Sequence, residues 1–91
     1  YPERMVEAIC SAARELPAIK ALYLRLMVRE GEMEPSYLVV VDQEGEQDTV
    51  FSAIAGAARP WLEGKTVDLV PRSSRFGQDA SKGVSPFYDR I

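Results

Sequence analysis

The 91 residues are 46% hydrophobic and 27% charged, which supports one small core and a single domain spanning 1–91. A formal charge of −3 argues against nucleic acid as a main partner, because phosphate binding needs clustered Lys and Arg, and Arg72, Arg75 and Lys82 are too sparse to reverse the balance. No apolar run approaches the roughly 20 residues of a membrane-spanning helix and the amino end lacks a secretory signal, so no membrane partner is expected.

Cys10 is the sole cysteine, which excludes an intramolecular disulfide and makes the reduced cytoplasm the simplest compartment. The chain opens on Tyr1 and Pro2 without an initiator Met, as a domain cut from a longer protein would. After Pro2, Met5, Ile9, Ala13 and Leu16 recur near the helical period, with Val6 and Cys10 widening the stripe, and Pro17 stops the helix. The next run alternates. Leu22, Leu24, Leu26 and Val28 form a core face, while Ala21, Tyr23, Arg25, Met27 and Arg29 form a mixed one, as in a half-buried strand.

Gly31 to Pro35 is a five-residue polar connection of hairpin length. Tyr37, Leu38, Val39, Val40 and Val41 then make a strand apolar on both faces, which suits an interior strand or one covered by something outside this chain. A second helix is expected from about Glu46 to Leu62, with Asp48 near its start, Gly64 closing it and Pro60 loosening its last turn. Gly56 lies among Ala53, Ala55, Ala57 and Ala58, a smooth surface for close packing. A third strand, Thr66 to Val70, stops at Pro71; Arg72 to Ser85 is polar, with room for one short helical turn.

The predicted fold is therefore α+β: an α-β-β-α-β two-layer sandwich with a small, mainly antiparallel sheet, helices on one face and a docked C-terminal tail. A right-handed crossover through the second helix sets the third strand beside the first, in order 2-1-3. The tail holds Pro86, Phe87, Tyr88, Asp89, Arg90 and Ile91, and burying its aromatics is worth roughly 1.5–3 kcal/mol each, enough to dock it.

Several of these segments converge on a family. The helix opening at Tyr1-Pro2, the strand Ala21-Leu22-Tyr23-Leu24, the apolar strand after Pro35, Val67-Asp68-Leu69-Val70-Pro71 and the ending Pro86-Phe87-Tyr88-Asp89-Arg90 resemble the C-terminal domain of the bacterial enhanced serine sensitivity protein SseB family. The resemblance implies a module that follows an SseB N-terminal domain, and it implies no catalytic residue, cofactor or ligand. It also implies a helix over Phe76 to Val84, which Gly77 and Gly83 oppose.

Catalytic chemistry finds little footing in the residues. Without histidine, the commonest general base, the Ser-His and Cys-His pairs and the most frequent transition-metal ligand are missing. Cys10 sits on an apolar helix stripe and reads as structural. Asp42, Glu44, Glu46 and Asp48 superficially resemble a calcium loop, but counting from Asp42 the sixth residue is Gln47 and the twelfth Ala53, where such a loop needs Gly and Glu. A solvated acidic turn is the better reading. Glu30, Glu32 and Glu34 likewise decorate a hairpin tip. No cofactor and no metal are expected.

The leading expectation is a non-catalytic protein-interaction or regulatory module whose surface uses Tyr23, Met27, Tyr37, Phe87, Tyr88 and Arg90. Its partner would be the missing N-terminal domain, a second copy or another protein. Tyr37, Val39 and Val41, or else Leu38 and Val40, share the face of Tyr23 and Met27, and Phe87 and Tyr88 either fold back over that face or leave it free for docking. The alternative is a small-ligand sensor, for instance of an amino acid. An enzyme ranks third and would need a deep polar pocket uniting Tyr88, Arg90 and an acidic residue.

Overall fold

The computed structural model describes residues 2–27, 31 and 36–90. The expectations placed on Tyr1, Val28, Arg29, the glutamates of the hairpin tip, Pro35 and Ile91 lie outside the described residues. Helix α1 (Glu3–Arg14) starts behind Pro2 and leaves Met5, Ile9 and Ala13 with no exposed surface, the i, i+4 stripe that its sequence spacing dictates. Strands β1 (Ile19–Met27) and β2 (Ser36–Gln43) follow, then α2 (Gln47–Ala58), a 3-10 turn (Arg59–Trp61), β3 (Val67–Pro71), α3 (Arg75–Ser81) and the two-residue β4 (Tyr88–Asp89). The α-helical part of α2 ends at Ala58, because Pro60 has no N–H to continue the ladder and the last turn tightens to 3-10.

The chain is an α+β protein with a four-stranded mixed sheet in the order β3-β2-β1-β4. β1 pairs antiparallel with β2 and β4, while β3 runs parallel to β2. This corrects the expected order 2-1-3: the crossover through α2 returns to the free edge of β2, the shorter path, and the edge of β1 where β3 was expected is taken by the C-terminal tail. β2 is thus an interior strand, and its run Leu38, Val39, Val40 and Val41 is buried on both faces.

Register decides which side chains share a face. Leu22 opposes Val41, Tyr23 opposes Val40, Leu24 opposes Val39 and Arg25 opposes Leu38. Leu22, Val39 and Val41 therefore face α1 and α2, where they join Met5, Ile9, Val50 and Ile54 in the core; full burial of each such side chain is worth roughly 1.5–3 kcal/mol. A bulge between Ile19 and Ala21 lets Ile19 enter the same core although the strand's alternation alone would turn it away. Leu26 departs from its expected core role. It lies at the strand end, beyond the cover of the helices, and is 60% exposed.

Helix α3 lies over the opposite face, so the helices do not all share one side of the sheet. Its contacts run to β1, β2 and β3, and Arg25, on the face of Tyr23 and Leu38, donates to the carbonyl of Ala80 at 3.1 Å. Ser74 caps the helix by accepting from the Gly77 N–H at 2.9 Å while its hydroxyl donates to the Pro71 carbonyl at 2.8 Å. The glycines that opposed a helix here instead permit it. A Cβ on Gly77 would overlap the carbonyl oxygen of Pro71, and Gly83 adopts φ +76° where the chain turns away after the helix. Gly56 departs from expectation in the other direction: it is exposed with nothing near its missing Cβ, so it serves no close packing.

Candidate functional site

The six residues read from sequence as one surface divide among separate places. Phe87, Tyr88 and Arg90 belong to the fold itself. Phe87 N–H donates to Leu22 O and Arg90 N–H to Lys20 O, both at 2.8 Å, and the two aromatic rings pack against the main core rather than over the Tyr23 face. The Arg90 guanidinium sits at the C-terminal end of α1. Its Nη2 donates to Ala13 O at 2.9 Å, Arg14 O at 3.3 Å and the Tyr88 hydroxyl at 2.7 Å, which adds a charged donor beside the Leu16 N–H already on Ala13 O and places a cation at the negative end of the helix dipole. This arrangement gives Tyr88 and Arg90 a structural task.

Tyr37 falls on the core face with Val39 and Val41, so it does not share a surface with Tyr23 and Met27; Leu38 and Val40 do. Its neighbours in an open groove are Pro2, Met5 and Trp61, over whose ring Arg4 lies at 5.7 Å. Tyr23 lies under the guanidinium of Arg72 at 5.4 Å. Arg72 also meets Asp42 at 3.5 Å, in an open, polar groove reaching to Gln78 and Lys82. Glu44 of the acidic turn is similarly engaged at the surface with Lys20 at 3.6 Å, and such exposed pairs contribute at most about 1 kcal/mol.

Met27 occupies a third place. An open groove of about 700 Å³ lies between α3 and the ends of β1 and β2, where Met27, Leu38 and Phe76 supply apolar walls, Arg25, Arg75 and Asp79 supply charge, and Leu26 lies at the rim. Phe76 is 53% exposed and Leu26 60% exposed, large apolar side chains held where water reaches them. Sequence reasoning missed both, together with Arg25 and Arg75. Phe76 could have been found as a lone aromatic two residues after a Ser N-cap, whereas Leu26 is hidden in a regular alternation that ends beyond the helices.

Cys10 is half-buried, and burial pushes its thiol above the ordinary range against a weaker lowering pull from Arg14. Its Sγ–H points to the carbonyl of Phe87 at 3.7 Å, a weak tie between α1 and the tail. Among the described residues, no group of three or more Cys, Asp or Glu side chains is placed to hold a metal ion. Nor is any helix among them long and apolar enough to cross a membrane.

The family model described as the SseB protein C-terminal domain matches residues 1–90. No curated protein gives a match.

Proposed function

The chain belongs to the SseB protein C-terminal domain family, and from that premise we propose that it is a non-catalytic protein-interaction module of an enhanced-serine-sensitivity protein. The observation that carries this reading is the groove between α3 and the ends of β1 and β2: Phe76 remains exposed on it, Met27 and Leu38 continue its apolar wall, and the exposed Leu26 lies at its rim. Two cations, Arg25 and Arg75, against the one carboxylate of Asp79 at its margin favour a polypeptide with acidic as well as apolar side chains. The partner of first choice is the SseB N-terminal domain that the resemblance places before this one. No chemistry is assigned to the groove, because the side chains on it offer no nucleophile and no paired acid and base.

Calorimetric titration of this domain with the separately produced N-terminal domain tests the reading, with Phe76→Ser as the comparison. Saturable binding to the parent and loss of about tenfold or more in the variant is expected, since a buried aromatic anchor typically contributes 1–2 kcal/mol or more at an interface. Equal binding by parent and variant would remove the groove from the interaction. Because Phe76 is exposed, the variant should melt with its parent.

A second reading, amino-acid sensing, draws on Arg72 and Asp42 in the polar groove, one cation and one carboxylate as a zwitterion requires. Titration with serine discriminates the two: a sensor binds saturably and an interaction module does not.

A further inference from the structure

β1 is only half covered along one edge. Arg90 N–H and Phe87 N–H bond to the carbonyls of Lys20 and Leu22, so the even-numbered residues of β1 direct their backbone groups toward β4. By the two-residue period of a strand, Leu24 and Leu26 direct theirs to the same side. β4, however, pairs only with Ala21 and Leu22. The tail cannot extend the ladder. Pro86 has no N–H to donate, and the preceding chain turns off toward α3, where Val84 N–H bonds to Ser81 O. Among the described residues no strand runs beside Leu24 to Met27, and the exposed Leu26 lies on this stretch.

An edge of this kind is a template for another strand, and the residues around it specify which. Leu24 and Leu26 project to one face, so side chains opposite them gain by being apolar. Arg25 projects to the other face, toward the groove that Arg75, Phe76 and Asp79 also line; two guanidinium groups face one carboxylate there, so the side chain opposite Arg25 gains by being acidic. Two registers of self-pairing are disfavoured. An antiparallel pair centred on Arg25 would set two guanidinium groups opposite each other, and one centred on Leu24 would drive the second copy into β4. The outer edge of β3 is the poorer template, since it ends at Pro71 and Gly77 closes on the carbonyl of that residue.

We propose that the open edge of β1 from Leu24 to Met27 takes up an extended segment of a partner protein by strand addition, reading an apolar-acidic-apolar alternation. This rests on the interaction-module reading and names the form of its partner. The probe is a capped synthetic peptide of about nine residues alternating Val and Glu, titrated into the isotope-labelled domain with backbone amides followed by NMR. Saturable shifts centred on Leu24 and Leu26 are expected, with exchange of those two amides slowed about tenfold at saturation as they gain partners.

Three comparisons make the result specific. Lys in place of Glu should weaken binding about tenfold, and Arg25→Glu in the domain should reverse that preference. Methylating the peptide nitrogens that face β1 should abolish binding, because side chains are kept and only the ladder is lost. Equal binding by the methylated peptide, or shifts confined to Phe76 and its neighbours, would overturn strand addition while leaving the groove as a docking site. No binding of the Val-Glu peptide at millimolar concentration would overturn it too, and retained Phe76-dependent binding of the N-terminal domain would then show that the broader reading survives. Dimerisation of the domain through Leu24 and Leu26 would likewise overturn it in favour of a second copy.

Discussion

Two side chains connect the N-terminal helix to the tail, and each makes a distinct prediction. Arg90 adds a charged donor to the last carbonyls of α1; without it Ala13 O keeps the Leu16 N–H and Arg14 O loses this partner. Arg90→Ala should therefore cost about 1 kcal/mol, a fall in melting temperature of about 4–8 °C for a domain of this size, and Arg90→Lys should recover part of it through charge alone. Thermal unfolding by circular dichroism measures both, and an unchanged midpoint would relegate the contact to ornament. Cys10 acts through its proton. The folded state holds that proton more tightly than the unfolded state, so stability is level below the ordinary thiol range and declines as pH rises through the elevated folded value. Urea midpoints across alkaline pH should show this decline in the parent and a smaller one in Cys10→Ala; parallel curves would exclude the thiol as the cause.

At the level of the element, two helical glycines with the same residue type call for opposite outcomes. Gly56, exposed in α2 with open space around it, should gain about 0.5–1 kcal/mol on replacement by Ala through helix propensity. Gly77 in α3 should lose on the same change, by about 1–3 kcal/mol, since the added methyl meets the backbone of Pro71 and the helix must lift from the sheet. Denaturant melts of the two variants check the signs, and agreement in sign between them would undo the account of α3. This contrast also explains what could and could not be read beforehand. The stripe Met5, Ile9, Ala13 and the both-faced run Leu38 to Val41 announce a helix and an interior strand because the pattern is local. What Gly77 touches is set by Pro71 arriving from another element, and the edge of β1 that β3 was expected to join is taken by a tail strand that begins only at Tyr88, so neither is written in the nearby residues.

For the molecule as a whole, exposure rather than size sorts the candidate surface. Tyr23, Tyr37, Phe87 and Tyr88 are conspicuous in sequence because aromatics are large, but size favours burial, and the structure spends the tail rings on its core. The most exposed large apolar residues among the described ones, ahead of Trp61, are Leu26 and Phe76, one at the end of a strand that outruns its helices and one on a helix too short to hide it. Their exposure depends on where elements stop. Element ends are the weakest part of any reading from periodicity, since a repeating pattern carries no mark of its own termination.

The bond from Arg90 to Ala13 bridges positions 77 apart along the chain. Closing a loop of that length costs about 4 kcal/mol of chain entropy, so this union is expected late, after the hairpin and the crossover have shortened the path. Substitutions at Tyr88 and Arg90 should then accelerate unfolding in stopped-flow measurements while leaving the refolding limb of the chevron almost where it was. The lifetime of the native state would be governed by its final clasp, and the speed of reaching it by everything assembled before.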